Sequence, residues 1–251
     1  MWIDKPTREQ LPALQALWVD AFGEDPAMEP FFRTAFSPER CRCVTVDGTL
    51  AAALYWFDTS CQGTKLAYLY AVGTLRNYRG CGLCRELMDY TTRCLISMGY
   101  EGILLVPGSP ELSEMYRKMG YEFCTAHREF LCAPDPEPVE YHKVDISEYA
   151  LRRRALLPRG AVVQEGENLS YLAELAEFYE GSNFLLAAIR EGNHLLGLEL
   201  LGDPNAAPGI LRALGVTKGT FRTPGTGEDF AMYRPLTDHC PKPGYFAFAF
   251  E

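Results

Sequence analysis

Arg79-Gly80-Cys81-Gly82-Leu83-Cys84 lies between a β-prone run, Leu66 to Thr74, and an amphipathic segment that Gly99 ends. A strand that turns on glycines into a helix leaves several main-chain N–H groups unpaired at the positive end of the helix dipole. Glycines let a ligand approach these groups closely, so the stretch predicts a diphosphate site. Taken alone, it is also compatible with a simple tight turn.

The flanking sequence predicts alternating strands and helices. Asp47-Gly48 separates two β-prone runs and predicts a hairpin. After the glycine turn and its helix, Gly102 to Val106 predicts another strand, Pro110 to Met119 a short helix, and Phe123 to Leu131 a closing strand. This order indicates an α/β fold with a mixed sheet, whose ligand lies where the strands end beside the glycine turn.

A proline-rich segment, Cys132 to Pro138, divides the sequence because no apolar period continues through it. We therefore expect a first domain at residues 1–131, a linker at 132–140 and a second α/β domain at 141–251. In the second domain the patterns predict two helices and four strands, at Leu169 to Phe178, Phe184 to Ile189, Leu195 to Leu201, Asp203 to Leu214, Phe230 to Tyr233 and Tyr245 to Phe250.

The segment Val72-Gly73-Thr74-x-x-x-Tyr78-Arg79-Gly80-Cys81-Gly82-Leu83 resembles the acetyl-CoA signature of GNAT acetyltransferases, Gln/Arg-x-x-Gly-x-Gly/Ala. Arg79 takes the basic position, Gly82 the first glycine position and Cys84 the last small position, where the family has Gly or Ala. The resemblance implies coenzyme A binding on the strand edge and the turn. The residues that it assigns to acetyl-CoA are Val72, Gly73, Thr74, Arg79, Gly80, Cys81, Gly82, Leu83 and Cys84.

A second motif follows on the helix after the next strand. Ser109-x-x-Leu112-x-x-Met115-Tyr116-Arg117-Lys118-Met119-Gly120-Tyr121 resembles the family's Asn-x-x-Ala-x-x-Phe-Tyr-x-Lys-x-Gly-Phe segment. The resemblance adds Ser109 to the cofactor-binding residues, although the family often has Asn there. It also implies that Tyr116 is the general acid that protonates the departing thiolate. Without the motif, Tyr116 would be read as an ordinary core aromatic on an amphipathic helix.

The whole chain is similar to the enhanced-intracellular-survival branch of these enzymes, in which a second GNAT-like region lacks the cofactor signature. Leu195 to Gly202 followed by Asp203 to Gly215 corresponds to a degenerate strand and helix. No Arg-x-x-Gly-x-Gly occurs there, so we expect no second cofactor site. In that branch a C-terminal carboxylate can reach the active site, whereas the alternating aromatic residues Tyr245 to Phe250 favour an edge strand.

Composition narrows the classes of partner. The net charge of −9 argues against nucleic acid and fits an amine-bearing partner. The sequence has no apolar signal core or membrane-length apolar run, so we expect a cytoplasmic protein without membrane contact. Nine cysteines, an odd number, indicate reduced thiols. A zinc site of Cys41, Cys43, Cys81 and Cys84 is a minor alternative, and we predict no metal.

The leading hypothesis is an N-acetyltransferase that transfers an acetyl group from acetyl-CoA to a primary amine of a small molecule or protein. The amine attacks directly within a ternary complex. The alternative is a catalytically silent acyl-CoA-binding or regulatory module, because Cys84 and Ser109 depart from the family pattern.

Overall fold

The computed structural model describes residues 1–250 and contains two compact units, each built from two segments of the chain. The first unit combines Met1–Glu122 with Met232–Pro241. The second combines Phe123–Ala231 with the residues from Lys242 onward. Compared with the expected ranges, residues 123–131 belong to the second unit and residues 232–241 to the first.

The described residues form seven α-helices and fifteen strands. The helices are α1 Leu11–Phe22, α2 Met28–Thr34, α3 Leu83–Ser97, α4 Pro110–Arg117, α5 Ile146–Leu156, α6 Glu167–Leu175 and α7 Ala207–Leu214. The strands are β1 Trp2–Asp4, β2 Cys41–Val46, β3 Thr49–Cys61, β4 Thr64–Thr74, β5 Gly102–Leu105, β6 Glu122–Phe123, β7 Ala126–Cys132, β8 His142–Lys143, β9 Val162–Gln164, β10 Glu177–Glu180, β11 Phe184–Glu191, β12 His194–Gly202, β13 Lys218–Pro224, β14 Glu228–Asp229 and β15 Met232–Pro235. Across residues 1–250, no helix combines the length and apolar character needed to cross a bilayer.

The sheet of the first unit has the order β1-β2-β3-β4-β5-β15. Strands β1 to β4 are antiparallel neighbours, β4 and β5 are parallel, and β15 runs antiparallel to β5. The predicted hairpin is confirmed: Asp47 and Gly48 both have positive φ, as a type I′ turn requires. Helices α1 and α3 pack on β3 and β4, and α1 buries Leu14, Leu17 and Trp18.

The sheet of the second unit has the order β8-β10-β11-β12-β13-β7-β14. Its connections repeat those of the first sheet. The antiparallel pair β11 and β12 corresponds to β3 and β4. The parallel strands β12 and β13 are joined through α7, as β4 and β5 are joined through α3. Strand β7 runs antiparallel to β13, as β15 does to β5. The predicted mixed α/β fold is therefore confirmed.

Some local predictions were wrong. Tyr245 to Phe250 is not a strand, since only Tyr245 forms an isolated bridge, with Ala161. The Gln164 side chain instead bonds the main chain of Phe248, accepting from its N–H at 3.1 Å and donating to its carbonyl at 2.8 Å. The helix predicted to reach Phe178 ends at Leu175, because β10 begins at Glu177 and pairs with β11. The terminal residue, Glu251, lies outside the described residues.

The proline-rich segment packs against the N-terminal half of α7. The main-chain N–H of Asp135 donates to Pro208 O at 3.1 Å, and that of Val139 donates to Gly209 O at 3.3 Å. A Cβ on Gly209 would lie 2.6 Å from Val139 Cγ1. These contacts hold the segment to the second unit.

Candidate functional site

The parallel ladder between β4 and β5 is short. It joins Leu66, Ala67 and Tyr68 to Gly102, Ile103 and Leu104. Strand β4 continues for six more residues, to Thr74. Among the described residues no strand pairs with this extension on the β5 side, so its main-chain groups face a gap between diverging strands.

A β-bulge lies within this extension. On β3 and β4, Tyr55 pairs with Tyr70 and Ala53 with Gly73, so two β4 residues oppose one β3 residue. The first of the two, Ala71, has a φ of 46°, which is uncommon for a residue with a side chain. Bulges bend a strand and redirect its groups, and they are frequent beside active sites.

Two of the strand residues predicted to bind acetyl-CoA, Val72 and Thr74, are half-buried.

Gly73 permits a close approach between β4 and helix α1. A Cβ at this position would lie 2.9 Å from Leu17 Cδ2 and 3.2 Å from Ala21 Cβ. Gly73 is among the residues that the motif predicts to bind the cofactor, and this packing contact was not predicted. A glycine inside a strand pattern is the signal for such an approach.

The glycine turn supports the start of α3. Gly80 and Gly82 have φ of 76° and 83°, and Gly82 is the N-cap residue. No side chain among residues 1–250 caps this helix, and a Cβ on either glycine would meet nothing within 4 Å. The first-turn N–H groups therefore have no side-chain cap within residues 1–250, and they lie at the positive end of a fifteen-residue helix.

Three further predicted residues lie on this turn. Cys81 is exposed, Leu83 is buried, and Cys84 is half-buried, so that burial raises the pKa of its thiol. Cys81 and Cys84 do not come together with Cys41 and Cys43 into a four-thiol cluster anywhere in the described chain.

Arg79 ties the turn to its surroundings. Its Nε donates to Thr74 O at 3.0 Å and its Nη2 to Ala21 O at 3.5 Å. The neighbouring Arg76, which the sequence motif left without a role, binds Asp20 in α1 through its main-chain N–H at 2.8 Å. The two arginines thus link the end of β4 to α1 and add positive charge beside the turn.

Ser109 and Tyr116 occupy opposite ends of α4. Ser109 is its N-cap, and its Oγ accepts from Leu112 N at 3.3 Å. Tyr116 is buried, and burial, followed by the nearby Cys84 thiol, raises the pKa of its hydroxyl. The Tyr121 ring lies 5.8 Å from the Tyr116 ring.

Comparison with known proteins identifies the fold. Residues 3–124 match the model of the acetyltransferase (GNAT) domain. No curated protein matches the sequence. Among solved structures, a GCN5-related N-acetyltransferase from Kribbella flavida superposes with a TM-score of 0.73 and 18% identity, covering 94% of this chain and 71% of its own. One from Anabaena variabilis gives 0.75 at 15% identity, covering 94% and 73%.

A third structure, Eis1 from Mycobacterium abscessus, gives a TM-score of 0.70 at 12% identity, covering 94% of this chain and 74% of that one. At identities this low, the superpositions show a shared fold and nothing more. The superpositions extend over both units, whereas the sequence match is confined to the first part of the chain. Residues 3–124 therefore match the GNAT acetyltransferase domain by sequence, and the chain has the fold of GNAT acetyltransferase structures.

Proposed function

We propose that the first unit is an N-acetyltransferase that transfers an acetyl group from acetyl-CoA to a primary amine of a small molecule or protein. The observation that carries the proposal is the β4 extension. Strand β4 ends its pairing with β5 at Tyr68, and its unpaired extension then runs through a bulge toward the glycine turn. An amide-bearing pantetheine arm can pair with such an edge as an added strand.

The glycine turn suits the diphosphate of coenzyme A. Within residues 1–250 no side chain caps the N–H groups at the start of α3, and the Arg76 and Arg79 guanidinium groups add positive charge. Gly80, Cys81, Gly82, Leu83 and Cys84 would contribute main-chain N–H groups, and Val72, Gly73 and Thr74 the strand edge. Ser109 remains a predicted ligand, and its hydroxyl would have to exchange its capping bond for one to the cofactor.

Direct attack requires a neutral amine. Its nitrogen bonds to the acetyl carbon, a main-chain N–H of the β4 extension stabilises the oxyanion, and the carbon–sulfur bond breaks. Tyr116 protonates the departing thiolate, and the amide nitrogen releases its extra proton to solvent. Because burial raises the pKa of Tyr116, its hydroxyl keeps its proton at neutral pH and remains available as an acid.

We infer that the second unit is a degenerate GNAT-like region without a cofactor site. Its β12–β13 ladder also ends early, at Gly197 and Phe221, while β12 continues to Gly202. There the Thr223 hydroxyl donates to Leu200 O at 2.8 Å, and the Asp203 carboxylate accepts from Asn205 N at the following turn. A side chain bonded to the strand edge and a carboxylate at the turn disfavour a diphosphate-bearing ligand.

The test combines calorimetry with acetyl-CoA and a thiol-release assay over a panel of primary amines. We expect one acetyl-CoA per chain and release of coenzyme A with at least one amine. No binding would refute the proposal. Binding without release for every amine would favour the silent acyl-CoA-binding module, and two equivalents per chain would refute the inference about the second unit.

A further inference from the structure

The second unit brings together three side chains that suit a divalent metal ion. The ligand atoms of His142, Glu148 and Glu180 all lie within 4.8 Å of one another. We propose that they bind one ion of the zinc class. This site is separate from the predicted acetyl-CoA residues, all of which lie in the first unit.

Three elements of the fold hold the ligands. His142 on β8 and Glu180 on β10 are direct partners in an antiparallel ladder. Glu148 lies in the first turn of α5, which the Asp145 side chain caps by accepting from the N–H groups of Ser147 and Glu148. The cross-strand register and the capped helix start are both set by the main chain, so the cluster does not depend on a flexible loop.

The separation of the ligand atoms fits a metal ion. His142 Nε2 and Glu180 Oε2 are 3.5 Å apart. Two ligands with bonds of about 2.1 Å in tetrahedral geometry are about 3.4 Å apart. An ion between them would gain the Glu148 carboxylate through a side-chain movement of about 1 Å, since all the ligand atoms already lie within 4.8 Å.

The two oxygens of Glu180 have different surroundings. Arg152 Nε lies 3.2 Å from Oε1. Oε2 is enclosed and accepts no hydrogen bond in the described part of the chain, and it faces His142. A buried carboxylate oxygen without a hydrogen-bond donor is costly, and a metal ion would satisfy it. Arg152 would meanwhile hold the other oxygen and orient the ligand.

The donor set selects the class of ion. One imidazole with two carboxylates suits Zn²⁺ and its first-row neighbours, whereas Mg²⁺ and Ca²⁺ prefer oxygen ligands alone. Three protein ligands would leave a further coordination position for water or another ligand. His142 and Glu148 are exposed, so an ion can enter from solvent.

Glu148 provides the sharpest test. Within residues 1–250 its carboxylate forms no hydrogen bond or ion pair. An ordinary ion-pair cluster would therefore be unchanged by Glu148→Gln, whereas a metal site would lose a ligand. His142→Gln removes a second ligand, and His239→Gln is the control because His239 is an exposed histidine outside the cluster.

The experiment is calorimetry of the reduced full chain with ZnCl₂, together with thermal melts with and without the ion. We expect one zinc per chain with a raised melting temperature, an affinity at least tenfold lower for Glu148→Gln and for His142→Gln, and no change for His239→Gln. MgCl₂ should not compete. Equal zinc affinity in wild type and Glu148→Gln would overturn the proposal, as would zinc binding that His142→Gln leaves intact.

Discussion

Arg153 and Glu199 form a two-bond ion pair from which solvent is excluded. Arg153 Nε and Nη2 donate to the two Glu199 oxygens at 2.6 and 3.0 Å, and both side chains are buried. The hydroxyls of Tyr149 and Tyr245 donate to the same carboxylate. Burial works to lower the pKa of Arg153, but Glu199 more than offsets it, so the guanidinium stays charged.

Arg153→Gln should destabilise the second unit by about 3–5 kcal/mol, because it leaves the Glu199 charge buried without its counter-ion. Denaturant unfolding measures the loss. Arg154→Gln is the matched control: Arg154 is the next residue and pairs with Glu165 at the surface. We expect it to change stability little. Equal effects of the two variants would show that burial of the ion pair is unimportant.

Gly73→Ala should destabilise the first unit by about 1–3 kcal/mol, since the new Cβ would lie 2.9 Å from the buried Leu17 side chain. Moving α1 would also disturb the β4 extension and lower acetyl-transfer activity. Thermal melting and the thiol-release assay test both effects. Gly108→Ala is the control, because a Cβ there would meet no described atom within 4 Å. If both variants melt alike, the close approach of α1 to β4 is not important.

Gly82→Ala should weaken acetyl-CoA binding. The N-cap residue has a φ of 83°, so an alanine costs about 1–2 kcal/mol of backbone strain and tends to reposition the first N–H groups of α3. Gly63 in the β3–β4 turn has the same φ of 83° and the same open surroundings. Gly63→Ala should therefore match the loss of stability while leaving the calorimetric affinity unchanged. A parallel loss of affinity in both variants would contradict a specific role for the turn.

Tyr116→Phe should lower kcat about 10²-fold or more and leave acetyl-CoA affinity nearly unchanged, as expected when a general acid is removed. The raised pKa of Tyr116 also predicts that its deprotonation causes no fall in wild-type activity near neutral pH. Tyr121→Phe is the control, since the Tyr121 hydroxyl is buried and forms no hydrogen bond within residues 1–250. Unchanged turnover in Tyr116→Phe would exclude the catalytic role.

Local signals in the sequence predicted much of the first unit. Asp47-Gly48 predicted the β2–β3 hairpin, and the glycines around Cys81 predicted the turn at which α3 begins. Both signals depend on positive φ, a property of a few consecutive residues that needs no tertiary information. The predicted strand and helix bounds differ from the observed ones by a few residues.

Features that depend on distant contacts were harder to predict. Helix α5 has little apolar asymmetry because its inward residues include Arg153, whose burial depends on Glu199, 46 residues away. The aromatic alternation of Tyr245 to Phe250 predicted an edge strand, but the main chain of Phe248 bonds the side chain of Gln164, which is distant in sequence. The point at which β4 and β5 stop pairing likewise depends on two strands that are distant in sequence. Strand β15 pairs with β5 across more than a hundred residues of sequence, a register that no local pattern specifies.

The late position of β15 has a consequence for biosynthesis. A ribosome that has released the first 131 residues has supplied β1 to β5 but not the strand that covers the outer edge of β5. Until residues 232–235 emerge, the nascent chain carries an uncovered, fully apolar strand edge at Ile103 to Leu105. A premature stop codon anywhere before β15 would make that edge permanent, so truncated products should be targets for chaperones and proteases.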